Sequence, residues 1–315
     1  MLNKIFKAIE ESDKIVIMRH VSPDLDALGS QFGLKRAIEV KFPEKTVLAV
    51  GEKSEGLSWL GELDEIDDTT FDDALIVALD TANLDRLSLY KEETTRNRKL
   101  LAKIDHHPDN EPFGDLSYVD TNASSVSEII AQFIFDYLEM DASSASSLYA
   151  GIVGDTGRFL FNSVTEHTFE IAARLKSYGV ETFEINQRIS EIDIKIAKFY
   201  GYIYDNLDID ETGVSHVVVT QEAMAQFGIS YEETNAIMGI FGTIKQIKTW
   251  AVFIEKSEKQ GGGFRARIRS KRIAINQVAM RHSGGGHPFA SGANAKDLEE
   301  INEIVEELKI VVKEG

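Results

Sequence analysis

The chain has 315 residues, room for two domains at roughly 150 residues each, and 43% of them are hydrophobic, which suits a globular protein with a real core. Acidic residues outnumber basic ones by 52 to 34, giving a formal charge of −18. That balance excludes a protein that coats long DNA or RNA but leaves room for one that binds a small anion through a local positive field. Cysteine is absent, which removes disulfides, thiol nucleophiles and cysteine-ligated metal sites together.

The N-terminal stretch MLNKIFKAIEESDK carries charge throughout and has no apolar signal core. No run of about 18 apolar residues follows, so a cytoplasmic protein without membrane spans is expected. Residues 14–19 (KIVIMR) form an apolar run that predicts a buried strand, followed by helical spacing from about Ala27 to Val40. Residues 46–50, 74–79 and 99–104 are further strand candidates. Ser125-x-x-Glu128 has capping-box spacing and opens a helix running to about Tyr137. Helices are expected over 144–153 and 165–178, the latter stopped by Gly179. Short apolar strands spaced by helices predict an α/β fold with a mostly parallel sheet and helices on both faces.

Residues 186–206 read as a helical linker between a first domain, 1–185, and a smaller α/β domain, 207–315. The second domain predicts a strand over 215–220 and a helix around 231–242. A hairpin over 248–256 and 263–271 is closed by three glycines. A short helix over 274–282, a glycine-rich loop over 284–292 and an acidic helix over 297–313 follow.

Chemistry-bearing residues fall at predicted strand ends. His20, Asp24 and Asp26 follow the first strand, Asp80 ends ALIVALD, and Asp105, His106 and His107 end LAKIDHH. Asp155 follows a helical apolar run. In an open parallel sheet the carboxyl ends of the strands line one crevice. A single Asp at a strand end is more often a cap or turn residue; four segments converging on one edge is a different matter. Carboxylates crowded together repel and need cations to stay ionised. Oxygen and imidazole donors without sulfur suit Mn²⁺ or Mg²⁺, with Zn²⁺, Fe²⁺ or Co²⁺ as alternatives. Two ions about 3.5–4 Å apart can clamp a phosphate and supply a hydroxide in line with the leaving oxygen.

A second cluster is basic. Residues 264–272 (FRARIRSKR) hold five basic residues in nine, and Arg265, Arg267 and Arg269 share one face if the segment is a strand. A basic strand can simply guard a solvated edge, but in so acidic a chain it also suits phosphate, which arginine forks bind bidentately. The run Gly284-Gly285-Gly286-His287 allows backbone to approach a ligand closely.

HVSPDLDALGS, ALD, DHH and GDTGRF resemble, in order, the four motifs of the DHH phosphoesterase superfamily, and SGGGHPFASGA resembles the signature of the DHHA1 domain. The combination resembles the nano-RNase and bisphosphate-nucleotide phosphatase branch over essentially the whole chain. The resemblance implies a DHH domain and a DHHA1 domain with the active site in the cleft between them. It implies that His20, Asp24 and Asp80 hold one Mn²⁺, and that Asp26, Asp80, His106 and Asp155 hold a second, Asp80 bridging. His107 would touch the scissile phosphate or leaving oxygen, and Asp105 would orient a histidine. Arg265, Arg267, Arg269, Ser270, Gly285, Gly286 and His287 would bind substrate. Leu25 stands where many relatives have glycine. The expected substrates are short linear oligonucleotides and 3′-phosphoadenosine 5′-phosphate. A cyclic dinucleotide phosphodiesterase and a silent nucleotide-binding regulator are the alternatives, and a homodimer is a family expectation.

Overall fold

Three apolar runs become the buried centre of a parallel sheet, and a fourth, partly exposed, takes one edge. In the computed structural model, which describes residues 1–109 and 111–314, the chain divides into two compact units, Met1–Glu191 and Ile192–Gly315. The first runs α1 (Leu2–Glu10), β1 (Lys14–Arg19), α2 (Leu25–Lys41), β2 (Thr46–Ala49), β3 (Leu75–Leu79), the single turn α3 (Glu92–Thr95), β4 (Leu100–Asp105), β5 (Leu116–Val119), α4 (Val126–Tyr137), α5 (Ala142–Asp155), α6 (Glu166–Ser177) and α7 (Thr182–Ser190). Its five strands lie in the order β2-β1-β3-β4-β5, every pair parallel. The fifth strand was not anticipated: LSYV is short, half-buried throughout and carries no apolar run.

Strand residues alternate between two cores, as the pleat requires. Ile15, Ile17, Leu75 and Val77 pack with Ile5, Phe32, Phe133 and Leu148 of the helices. Val16, Met18, Ile76 and Ala78 face a smaller cluster with Phe71, Leu87 and Leu101, supplied by loops and strand ends. Helices therefore flank the sheet unevenly, most of them on one face.

Helices α2 and α5 meet along glycines. A Cβ on Gly29 would stand 2.5 Å from the Ser147 carbonyl oxygen, and one on Gly151 would collide with Ser127 Oγ and lie 3.1 Å from Asp26 Oδ1. This close seam lets the start of α4 reach Asp26. Ser125 caps α4 by accepting from the Glu128 amide at 3.0 Å. The reciprocal arm of the expected capping box is absent, because the Glu128 carboxylate accepts from Ser124 Oγ instead.

The second unit comprises α8 (Ile194–Asn206), β6 (Asp208–Ile209), β7 (Val214–Val219), α9 (Gln221–Phe227), β8 (Thr249–Glu255), β9 (Phe264–Ser270), α10 (Asn276–Arg281), β10 (Gly285–His287), β11 (Ala290–Ala295) and α11 (Leu298–Glu314). Its sheet runs β10-β11-β9-β8-β7-β6, antiparallel except for β7 with β8. One face packs on α11 through Ile301, Ile304 and Leu308. The other packs on Ile196, Phe199 and Ile203 of α8, so the later half of the stretch read as a linker belongs to this unit's core. Two sequence expectations are corrected here. The helix expected around 231–242 is two 3-10 segments, Glu233–Gly239 and Phe241–Thr243, with Gly239 and Gly242 lowering α-helix propensity. The loop expected over 284–292 is largely the β10–β11 hairpin. Among the described residues no helix is long and apolar enough to cross a membrane.

Replacing Gly151 with alanine should drive a methyl group between Asp26 and Ser127 and cost about 1–3 kcal/mol of stability, as overpacking does. Urea unfolding of the variant beside the parent measures it; an unchanged midpoint would show that the seam yields.

Candidate metal centre

The centre lies at the carboxyl ends of three adjacent strands, where the chain reverses its direction of travel across the sheet between β1 and β3. That switch point is where an open α/β sheet leaves a crevice. β1 delivers His20, β3 delivers Asp80, and β4 ends at Asp105 with His106 and His107 following. Asp24 and Asp26 start α2, and Asp155 ends α5.

The distances bring the predicted residues together. His20 Nε2 lies 3.7 Å from Asp24 Oδ2 and 3.4 Å from Asp80 Oδ2. His106 Nε2 lies 3.7 Å from Asp80 Oδ1 and 3.5 Å from Asp155 Oδ2. Three donor triads are close enough to hold an ion: His20 with Asp24 and Asp80, Asp26 with His106 and Asp155, and Asp80 with His106 and His107. Asp80 belongs to two of them.

Local structure aims each donor. The Nδ1 of His20 contacts the Val21 carbonyl oxygen at 2.8 Å and that of His106 contacts the Ala123 carbonyl at 3.3 Å, so each ring turns Nε2 toward the carboxylates. Asp24 divides its oxygens. Oδ1 caps α2 by accepting from the amides of Asp26 and Ala27, while Oδ2 faces His20. Asp80 stands in left-handed backbone, φ +55°, which aspartate tolerates better than most residues, and its amide donates to the Ile104 carbonyl. Its Oδ1 is buried without a hydrogen-bond partner. An orphaned buried carboxylate oxygen surrounded by imidazole nitrogens fits a cation.

Asp26 was singled out from sequence, but its anchoring was not. Its two oxygens accept from the Val126 and Ser127 amides at 2.7 and 2.8 Å, so the N-terminus of α4 caps a carboxylate 100 residues earlier in the chain. No local pattern announces such a pairing. Asp105 Oδ1 accepts from the amides of His106 and His107 and lies 2.9 Å from His107 Nδ1.

The electrostatics follow from the crowding. Burial, then the charges of Asp26 and Asp80, push the Asp155 carboxyl up to about 9. Burial and the Asp80 charge push Asp26 well above the carboxylate range, against the hydrogen bonds from Ser127. Burial disfavours the His20 imidazolium, yet Asp24 and Asp80 raise it to about 10. Asp105 is held low by His107 and Lys103 despite its burial, and His107 is raised by Asp105.

In the second unit, Arg265, Arg267 and Arg269 alternate on the half-buried face of β9. Arg267 donates to Thr234 Oγ1 at 2.8 Å and lies over the Tyr231 ring. Gly292 on β11 leaves the space that the Arg265 guanidinium occupies. Tyr231 and Thr234 went unnoticed in sequence, being distant from β9 along the chain. The β10–β11 hairpin joins this strand through β11 and carries Gly285, Gly286 and His287 one strand further out, and Gly286 has φ +135° with no room for a side chain. Ser270 falls on the opposite, buried face. Its hydroxyl accepts from the Ile273 amide at 2.8 Å, so the structure does not bring it to the arginines.

Residues 14–152 match the DHH family, N-terminal domain, and residues 214–314 match the DHHA1 domain. A Streptococcus mutans protein named probable bifunctional oligoribonuclease and PAP phosphatase NrnA is 44% identical, over 98% of each chain. The chain belongs to the DHH–DHHA1 phosphoesterase family. A Bacillus subtilis protein named bifunctional oligoribonuclease and PAP phosphatase NrnA is 38% identical over 100% of this chain and 99% of its own. Among solved structures, an exopolyphosphatase-related protein from Bacteroides fragilis shares the fold, with a TM-score of 0.88 at 23% identity over 99% of this chain and 97% of its own. DHH phosphoesterases are metal-dependent, and the oxygen-and-imidazole donors gathered here can bind metal.

A metal ion bound here would compete with the protons that the raised pKa values of Asp155 and His20 favour. Both pKa values lie above those of the unfolded chain, so both groups lend the metal-free protein less stability as pH rises from 6.5 toward 9. A cation reverses that loss, and it competes with fewer protons at higher pH. The gap in Tm between protein with Mn²⁺ and protein with chelator should therefore widen from pH 6.5 to pH 8.5. A gap independent of pH would contradict the proton inventory.

Proposed function

We propose that this chain is a two-metal phosphoesterase that hydrolyses short linear oligonucleotides and 3′-phosphoadenosine 5′-phosphate, with manganese as its resident ion. The observation that carries the reading is one buried carboxylate, Asp80, standing between two donor sets, with Oδ2 3.4 Å from His20 Nε2 and Oδ1 3.7 Å from His106 Nε2. His20, Asp24 and Asp80 would hold one ion, and Asp26, Asp80, His106 and Asp155 the other. When bound, the cations neutralise charge on the phosphate and acidify an attacking water.

The protein's own groups then have separate tasks. His107 has Nδ1 engaged with Asp105, so a proton passed to the leaving oxygen would travel through Nε2. Asp105 fixes the ring and favours its charged form. Arg265, Arg267 and Arg269, with the Gly285, Gly286 and His287 hairpin, are proposed to bind the phosphate or base of the substrate. Ser270 is left out because its hydroxyl serves the turn after β9. The names of the Streptococcus and Bacillus relatives support this choice of substrates over a cyclic dinucleotide.

Asp80→Asn keeps the shape and tolerates the left-handed backbone while removing the bridging charge. It should lower turnover by about 10³-fold or more with the fold intact, as loss of an interaction made chiefly in the transition state does. Turnover within tenfold of the parent would sink the two-metal reading. Arg267→Ala should raise KM by about 10-fold or more, the worth of one charged hydrogen bond, with kcat nearly unchanged.

Substrate choice is tested by resolving products from 3′-phosphoadenosine 5′-phosphate, a linear diadenylate, an RNA pentamer and cyclic di-AMP, each with Mn²⁺. The first two should be consumed fastest. Rapid cleavage of the cyclic compound alone would replace this reading with a cyclic dinucleotide phosphodiesterase, and no hydrolysis at all would favour a silent binding protein.

A further inference from the structure

Lys103 lies on β4 with its side chain fully buried, on the strand face it shares with Leu101 and Asp105. A lysine amino group taken out of water is costly unless oxygens surround it. Here Nζ lies 2.9 Å from Asp109 Oδ1, 3.4 Å from Asp105 Oδ2 and 3.3 Å from the Ala82 carbonyl oxygen, above the ring of Phe113 at 4.6 Å. The three oxygens come from three places that matter. Ala82 is two residues past Asp80, Asp105 ends β4, and Asp109 is two residues past His107. Asp105 Oδ2 makes no hydrogen bond, so Lys103 is the cation set against it, while Oδ1 serves the amides of His106 and His107 and the His107 ring. An apolar side chain of similar volume would fill the space at no loss of packing. Burial of a charge at this point therefore calls for another reason.

We propose that Lys103 is a positioning residue for proton delivery. It pins Asp105 in the orientation that holds His107 by Nδ1. It touches no reacting atom and works through Asp105. The proposal rests on the reading that His107 serves the leaving oxygen.

The test compares Lys103→Met, Asp105→Asn, the double variant and His107→Ala on two substrates with Mn²⁺. One is a linear diadenylate, whose leaving alkoxide needs a proton. The other is a p-nitrophenyl phosphodiester, whose leaving group departs without one. Lys103→Met should lower kcat on the diadenylate by roughly 10-fold or more, leave KM within about threefold, and lose far less on the p-nitrophenyl ester. The double variant should match Asp105→Asn alone, since the lysine acts only through the aspartate. It removes both charges, leaves no isolated buried ion, and keeps the comparison available should Lys103→Met fail to fold. Equal losses on the two esters, or losses that multiply in the double variant, overturn the role of Lys103 while a slowed His107→Ala upholds the reading beneath it. Full activity of His107→Ala on the diadenylate removes that reading and the proposal together.

Discussion

Repulsion among carboxylates is the constraint around which the first unit is built. Asp24, Asp26, Asp80 and Asp155 converge on a few ångströms, and they cannot all be charged unless something positive joins them. In the absence of ions, protons meet that need, on Asp155, Asp26 and His20. Stability argues against such a cluster, so its presence points to function. The surrounding structure holds it in place. Buried parallel strands fix His20, Asp80 and Asp105, a helix start fixes Asp26, and a glycine seam lets that helix come close enough.

The second unit answers with the opposite sign. Its arginines stand on one face of β9, partly desolvated, and burial lowers the pKa of Arg267 and Arg269. Guanidinium groups so placed are already oriented by Thr234, Tyr231 and backbone carbonyls, so little freedom remains to be lost when an anion binds. A chain with a formal charge of −18 thus gathers three arginines on one face of a single strand.

Much of this was legible from the sequence because the relevant signals are local. An unbroken apolar run such as LIVAL has few fates other than a buried strand, and an Asp at its end must emerge at a sheet edge. The acidic edge followed from four such placements. What escaped was long-range. The amides that hold Asp26 lie 100 residues away, Tyr231 and Thr234 reach Arg267 across the fold, and β5 has too few apolar residues to declare itself. Ser270 shows the converse limit of local reading. Adjacency to Arg269 in sequence puts it on the other face of a strand, where period two sends neighbours in opposite directions. The glycine run read as a loop pairs as a hairpin because β9 and β11 extend the sheet beside it, which nothing within SGGGH reveals.

The capture of Asp26 by α4 has one more consequence. In many α/β proteins the start of a helix beside the crevice is the anion site, its amides and dipole receiving the ligand's phosphate directly. Here the Val126 and Ser127 amides already face an internal carboxylate. The helix terminus has been turned from recognition to construction, and its partial positive charge helps to hold a negative group among other carboxylates. On the proposed reading, attraction for phosphate in this crevice would be lent by bound cations, which makes the first unit closer to a socket for metal than to a pocket for nucleotide.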